Sequence, residues 1–373
     1  MVNVDNILKS AIERDASDVH LISGLKPILR IARNLVTYDE CDVLTVEDMA
    51  DIYDYFIRGN VDKDNVFKET KKLDSSFEFA GLRLRVNISL SNDIPVFTLR
   101  IIKNTLPTFE ELGVPDIVRR MMYQPQGLVL VTGKTNSGKT TTLNALINDI
   151  NENQNKKILT LESPIEYKNT SKKSIIVQKE VGVGQDVLRY KDGVKNCLRE
   201  DCDILVIGEI RDRETMDAAI ETAEAGHLVI GTLHTKSCAE TIDRMINFYD
   251  ISDQQSIKYM IASLLKLVTS QRLIRGRDGK LVLLPEVMVV DNIVQGLIRK
   301  EKFSVSEVED AIQSASANGS IGLINSIAKL FVDDVITLEQ AKAQIEEKNI
   351  ETLNRTIMQM KIKKGNNDNR LGY

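Results

Sequence analysis

At 373 residues the chain is too long for one ordinary hydrophobic core, so we predict at least two domains. Its composition, 42% hydrophobic and 28% charged, is that of a soluble globular protein, and a net charge of −5 gives no general attraction to phosphate backbones. We therefore expect no direct nucleic-acid partner. The N-terminus lacks the features of a secretory signal, and no apolar stretch reaches the roughly 18–20 residues of a spanning helix. We expect a cytoplasmic protein that associates peripherally with the inner face of the cell membrane through partners.

The four cysteines include no C-x-x-C pair, which predicts free thiols and no cysteine metal site.

The first hundred residues mix helix and strand patterns and predict a small α+β domain, residues 1–104. Helical spacing covers Val4–Arg14 and Val46–Phe56, and Thr45 is the expected N-cap of the second helix. Strand patterns occur at Pro27–Ile31, Ser75–Phe79, Leu82–Ile88 and Val96–Ile102. The prolines and glycine of Asn104–Pro115 break regular structure, and we place a domain linker at residues 105–115.

Beyond the linker, strands alternate with helices, which predicts an α/β core over residues 116–291. Its buried parallel strands are expected at Leu128–Val131, Ile158–Leu161, Ile204–Ile207 and Leu228–Gly231. Arg275–Lys280 is typical of a hairpin turn that leads into the strand Leu281–Leu284. The pattern is helical from Asn292 to Lys363, so we predict a C-terminal helical region, residues 292–364, and a disordered tail, residues 365–373.

The segment Gly133–Thr140 matches the phosphate-loop pattern G-x-x-x-x-G-K-[ST], with a strand before it and a helix after it. Such a loop points its backbone N–H groups at phosphates, and the helix adds its positive N-terminal end. The sequence therefore predicts binding of ATP with Mg²⁺. Lys139 would reach the β- and γ-phosphates, and the Thr140 hydroxyl would bind Mg²⁺. The candidate nucleotide-binding residues are Gly133, Thr135, Asn136, Ser137, Gly138, Lys139, Thr140 and Thr141.

A second apolar strand, Ile204–Ile207, is followed closely by the carboxylate of Glu209. An acid at the carboxyl end of such a strand can position or deprotonate the attacking water. We predict that Glu209 is the general base or positions the attacking water, and that the protein hydrolyses ATP.

Five ordered motifs of the chain resemble those of the secretion-ATPase superfamily. They are Ala16–Leu21, Pro107–Gly113, an aspartate box at Glu162–Glu166, a Walker B segment at Gly208–Asp212 and a histidine box at Ala223–Thr235. The resemblance covers nearly the whole chain. It is strongest to the PilT-type twitching-motility branch, whose members retract type IV pili.

That resemblance implies a PAS-like α+β N-terminal domain followed by a RecA-like P-loop ATPase core with C-terminal helices. It further implies a homohexamer that acts on an inner-membrane pilus platform protein, with each nucleotide between the two domains and the linker as the hinge. The catalytic residues that it implies are Glu209, Glu162, Glu166, His234, His227, Arg85 and Arg100.

The chain departs from the family pattern at several positions. Ser163 stands where the family usually has aspartate, and Lys134 and Asn136 replace a common proline and glycine of the phosphate loop. Other interpretations of the candidates are also open: His227 and His234 flank a buried strand, as core histidines do, and Arg85 alternates with Arg83 as on an exposed strand face.

Other functions within and beyond the superfamily remain open at this point. Pilus-extension and type II secretion ATPases resemble this chain through the core, but they carry a four-cysteine insertion after the histidine box, which is missing here. The segment Val294–Arg299 resembles the second half of a short helical motif of the retraction branch. A conjugation or type IV secretion motor and a non-catalytic nucleotide-gated scaffold are the further alternatives.

Overall fold

The computed structural model describes residues 2–32, 34–57, 59–102, 106–183 and 185–368, with the backbone alone at 316 and 365–368. The chain divides into two compact units. The first comprises Met1–Leu106, Leu159–Thr170 and Ile176–Gly193, and the second comprises Pro107–Ile158, Ser171–Ile175 and Val194–Tyr373. The domain boundaries inferred from the sequence remain a prediction, because compactness within one chain does not measure independent folding. Two residues at the predicted linker, Asn104 and Thr105, lie outside the described residues.

The N-terminal part of the first unit is an antiparallel sheet packed against helices. Its elements are α1 Val4–Glu13, β1 Asp18–Leu21, β2 Ile28–Ile31, β3 Asn34–Thr37, α2 Val46–Ile57, α3 Val61–Thr70, β4 Lys72–Phe79, β5 Leu82–Ser91 and β6 Ile94–Ile102. The strands are ordered β3-β2-β1-β6-β5-β4. In β5, Leu84, Val86 and Ile88 are buried in the core, and the alternating residues Arg83, Arg85 and Asn87 occupy the other face.

The predicted N-cap of α2 is confirmed. The Thr45 hydroxyl accepts a hydrogen bond from Asp48 N–H at 3.1 Å, and the Asp48 carboxylate accepts one from Thr45 N–H at 3.0 Å. These reciprocal bonds satisfy two backbone donors and fix where the helix begins.

The remaining strands form a seven-stranded sheet. They are β7 Gly127–Gly133, β8 Lys157–Glu162, β9 Ile175–Glu180, β10 Ile204–Ile207, β11 Leu228–Leu233, β12 Leu265–Arg275 and β13 Leu281–Val289, ordered β13-β12-β7-β11-β10-β8-β9. Strands β12, β7, β11 and β10 pair in parallel, so their carboxyl ends meet at one edge. The β12–β13 pair is antiparallel and includes the predicted hairpin.

Helices surround this sheet and continue to the end of the described chain. They are α4 Asp116–Met121, α5 Lys139–Asn153, α6 Tyr190–Cys197, α7 Arg213–Glu224, α8 Cys238–Ile246, α9 Ile251–Leu264, α10 Asn292–Arg299, α11 Val305–Ser314, α12 Leu323–Val332, α13 Leu338–Lys342 and α14 Ile350–Asp368. Helix α14 includes residues 365–368 of the predicted disordered tail, and residues 369–373 lie outside the described residues. The mixed α/β class is confirmed.

The structure describes all four cysteines, and none of them forms a disulfide. Over the ranges that the structure describes, no helix combines the length and the apolar character needed to cross a membrane.

Candidate nucleotide-binding and catalytic site

The phosphate loop connects the fully buried strand β7 to helix α5, which is the arrangement that the motif predicts. Gly133 has φ 146°, and a Cβ atom there would lie 2.4 Å from Ser137 Oγ and 2.5 Å from the Gln271 carbonyl oxygen. Gly138 is the N-cap of α5 with φ 87°. Only glycine tolerates both backbone conformations and the close approach at Gly133, so the glycines determine the shape of the loop.

The Lys139 side chain lies across this loop. It is only 9% exposed, and its ammonium donates to the carbonyls of Gly133 at 2.7 Å and Lys134 at 3.1 Å. Burial lowers the pKa of Lys139, and the Glu209 carboxylate partly opposes that effect. The loop therefore holds a partly desolvated cation beside backbone N–H groups at the positive end of α5, which suits a phosphate.

The remaining loop candidates differ in exposure. Thr135 and Asn136 are exposed, whereas Thr140 and Thr141 are half-buried. Ser137 is buried, and its hydroxyl has no hydrogen-bond partner among the described residues. A buried hydroxyl without a partner is costly, and a bound phosphate oxygen would satisfy it. This atom is the observation that most directly fits the loop to a nucleotide.

No group of three or more His, Cys, Asp or Glu side chains that could hold a metal ion occurs in the part of the chain that the structure describes.

Glu209 lies just beyond the carboxyl end of β10 and is surrounded by cationic groups. Its carboxylate accepts from the Arg211 guanidinium at 2.6 Å, and His234 Nε2 lies 3.3 Å from its other oxygen. Burial raises the pKa of Glu209, but the Arg211 hydrogen bond and the charges of Arg211, His234 and Lys139 outweigh it and hold the pKa below its ordinary value. Glu209 is thus an ionised acceptor at the sheet edge where the phosphate loop lies.

The two histidine-box histidines lie at opposite ends of β11. His234 follows the strand, and its Nε2 lies 3.3 Å from a carboxylate oxygen of Glu209. His227 precedes it, roughly 20 Å away at about 3.3 Å per residue, and its Nδ1 lies 2.6 Å from the Cys202 carbonyl oxygen. Within this chain, the structure does not bring His227 together with Lys139, Glu209 and His234, so a catalytic role for His227 has no support from the geometry.

The two aspartate-box acids belong to the first unit. Glu162 is 5% exposed and accepts from the Thr160 hydroxyl at 2.7 Å and the Gln178 amide at 3.0 Å. Burial raises the pKa of Glu162 above its ordinary value, and these neutral hydrogen bonds do not offset it. Glu166 is half-buried, with Oε1 3.9 Å from the Arg85 guanidinium.

The two candidate arginines face the same side of the N-terminal sheet. Arg85 on β5 pairs directly with Arg100 on β6, so their side chains lie side by side. Arg85 makes a bidentate ion pair with Asp74, at 3.1 Å and 2.5 Å, and Arg100 binds Asp18 at 3.1 Å. In this structure both guanidinium groups are engaged by carboxylates of their own unit.

Two functional contacts were not predicted from the sequence. No role was given to Arg211, although its place two residues after Glu209 could have indicated the ion pair. Asp74 was also missed, because its contact with Arg85 joins two strands and depends on their register.

The sequence profile of the type II/IV secretion system protein family matches residues 82–368. The chain is 36% identical to the type IV pilus retraction ATPase PilT of Pseudomonas aeruginosa. The match extends over 349 residues, which are 93% of this chain and 99% of that protein. It is 37% identical to a twitching motility protein of Neisseria gonorrhoeae over 75% of each chain.

Among solved structures, the fold is similar to the crystal structure of the pilus retraction motor PilT with bound ADP. The TM-score is 0.85 at 34% sequence identity, and the match covers 94% of this chain and 100% of that one.

Proposed function

Because the chain belongs to the type II/IV secretion system protein family and is an ATPase, we propose that it is a hexameric motor that powers type IV pilus retraction, the movement behind twitching motility. It would act from the inner face of the cell membrane on a pilus platform protein. The observation that carries this proposal is the match, over 94% of this chain and all of the other, to a pilus retraction motor crystallised with ADP.

The chemistry follows from the residues at the edge of the second sheet. The N–H groups of the phosphate loop and the Lys139 ammonium bind the β- and γ-phosphates and stabilise the charge that develops there. Glu209, kept ionised by its contact with Arg211, orients a water molecule and accepts its proton as the water attacks the γ-phosphorus. The bond between the γ-phosphorus and the β-phosphate oxygen breaks, and ADP and phosphate leave. His234, 3.3 Å from Glu209, helps to hold that carboxylate in place.

We further propose that Mg²⁺ accompanies the nucleotide. Mg²⁺ binds hard oxygen ligands and is commonly held by few protein groups together with substrate phosphates. The Thr140 hydroxyl, at the first turn of α5, is the oxygen that fits this pattern. When bound, the ion would neutralise charge on the β- and γ-phosphate oxygens.

Two features favour retraction over pilus extension or type II secretion. The turn between β12 and β13 spans only residues 276–280, so the cysteine-bearing insertion typical of extension ATPases is missing there. Helix α10 contains Val294–Arg299, the segment that resembles the second half of the retraction motif, and buries Val294 and Ile298.

The test is a count of surface pili in the source cell after deletion of the gene and complementation with wild type or Lys139→Ala. Excess pili and lost surface motility, rescued by wild type alone, support a retraction motor. Absence of pili would instead indicate an extension motor. Unchanged pili would overturn the pilus assignment and favour a secretion or DNA-transfer motor.

A further inference from the structure

Three buried threonines connect the histidine box to the strand that carries the phosphate loop. Thr235 directly follows His234, Thr241 lies on α8, and Thr132 directly precedes Gly133. The Thr235 and Thr241 hydroxyl oxygens are 2.7 Å apart, and the Thr241 hydroxyl lies 3.4 Å from that of Thr132. Their exposures are 8%, 0% and 0%, so solvent does not compete for these bonds.

Thr241 is at the centre of this set. Its hydroxyl also donates to the Ser237 carbonyl at 2.9 Å, one turn back in its own helix. A hydroxyl has one proton and two lone pairs, so while Thr241 donates to Ser237, its oxygen can accept from Thr235 and Thr132. The Thr132 hydroxyl also lies 3.4 Å from the Thr269 carbonyl oxygen, so its single proton is divided between that contact and the one with Thr241. The bond to Ser237 is common for threonine in a helix, whereas the contacts with Thr235 and Thr132 join separate parts of the chain.

Two side-chain carboxylates hold backbone N–H groups in the segment after His234 and at the start of α8. The Glu286 carboxylate accepts from Cys238 N–H at 2.8 Å, and Glu240 accepts from Lys236 N–H at 3.1 Å. Neither of these two hydrogen bonds involves Thr235. The hydroxyl pair is therefore the side-chain contact closest in sequence to His234 in this well-anchored segment.

We propose that Thr241 is a positioning residue of the ATPase site, whose hydroxyl holds the Thr235 backbone so that the preceding His234 stays at hydrogen-bonding distance from Glu209. Through Thr132, the same oxygen ties this loop to the strand that presents the phosphate loop. The inference rests on the proposed role of His234. It adds a fully buried residue that acts through the geometry of one that contacts the base.

Thr222 on α7 provides a matched control. It is 0% exposed, and its hydroxyl donates to the Ala218 carbonyl at 2.8 Å, the same bond to the preceding turn that Thr241 makes. Thr241→Val and Thr222→Val both exchange a buried hydroxyl for a methyl group of similar size and both lose the helix bond. Thr241→Val alone also breaks the contacts with Thr235 and Thr132.

We expect Thr241→Val to lower kcat for ATP hydrolysis by about three- to tenfold, the effect of one displaced hydrogen bond. The KM for ATP should stay close to that of Thr222→Val, whose kcat should match wild type. Thr241→Val should melt at a lower temperature than Thr222→Val, because it also removes a partner from the buried hydroxyls of Thr235 and Thr132. Thr241→Ser, which keeps the hydroxyl, should restore kcat. Equal kcat values for Thr241→Val and Thr222→Val would overturn the proposal.

A double-mutant cycle with His234→Ala distinguishes a failure of the Thr241 proposal from a failure of the proposed role of His234. If Thr241 acts through His234, Thr241→Val should cause no further loss of kcat in the His234→Ala background. A full additional loss there would overturn the proposal, because Thr241 would then act by another route. Wild-type kcat in His234→Ala alone would instead refute the role of His234.

Discussion

Glu209 and Glu162 occur in similar sequence patterns, but the pKa of Glu209 is lowered and that of Glu162 is raised. Glu162 is the last residue of the buried strand β8, and Glu209 lies just beyond the buried strand β10. The partners of Glu209 are Arg211, His234 and Lys139, and its pKa is lowered. The partners of Glu162 are the uncharged side chains of Thr160 and Gln178, and its pKa is raised.

The difference shows that a carboxylate at the end of a strand is not by itself a base. Burial raises the pKa of both groups, and nearby positive charge outweighs burial at Glu209, whereas the charge of Arg83 does not outweigh it at Glu162. In this protein, positive charge is concentrated around Glu209. We infer that Glu209 serves as the base, and that Glu162 contributes mainly by organising its own hydrogen-bonded surroundings.

The largest expected effect comes from removing the buried cation near Glu209. Lys139→Ala should lower ATP affinity and reduce turnover by about 100- to 1,000-fold, because the charge that stabilises the phosphates is lost. Nucleotide binding by calorimetry and phosphate release measure the two effects. Lys134→Ala, which removes an exposed lysine of the same loop, is the control and should retain both. Equal losses of ATP affinity and turnover in the two variants would contradict the prediction. They would mean that any lysine substitution in the loop impairs the protein, so that Lys139 has no specific role in stabilising the phosphates.

A smaller effect is expected when Glu209 loses its strongest hydrogen-bond partner. The pKa of Glu209 is lowered, so activity that needs its ionised form is present above that pKa and disappears as the pH falls through it. Arg211→Gln removes a cation, and the acid limb of the kcat–pH profile should therefore move to higher pH. At neutral pH, turnover should fall by no more than about tenfold. An unshifted acid limb would show that Arg211 does not set the ionisation of Glu209.

The smallest effect concerns the stability contributed by Glu162. Its folded-state pKa is above the ordinary value of 4.5, so the folded protein binds this proton more tightly than the unfolded chain. The resulting stability is present at low pH and is lost as the pH rises through the folded-state pKa. Glu162→Gln does not titrate, so its melting temperature relative to wild type should rise from acidic to neutral pH. A constant difference across that range would contradict the raised pKa.

The phosphate loop and its flanking elements could be predicted from the sequence because the constraint is local. Gly133 and Gly138 determine the loop backbone, and Lys139 follows in the first turn of the helix. Glu209 could be located because a short apolar run precedes it. The resemblance of the histidine box named both His234 and His227 as site residues, and the structure shows that they lie at opposite ends of β11.

The sequence pattern did not predict several elements that bury few of their side chains. Strand β3 is exposed along its length, β9 is mostly half-buried, and α3 buries only Phe67, so none of them shows a clear apolar period. Contacts that depend on tertiary structure were also missed: the Thr132, Thr235 and Thr241 hydroxyls come from three separate elements. No sequence spacing relates them, and only the packing of α8 against the sheet brings them together.

The most direct test of the difference between the two acids is a comparison of Glu209→Gln with Glu162→Gln in one assay at neutral pH. ATP binding and a single turnover of ATP are measured for both variants and for wild type. Glu209→Gln should bind ATP normally and lose turnover by at least about 100-fold, whereas Glu162→Gln should lose about tenfold or less. Wild-type turnover in Glu209→Gln, or a greater loss in Glu162→Gln, would contradict the assignment of Glu209 as the base.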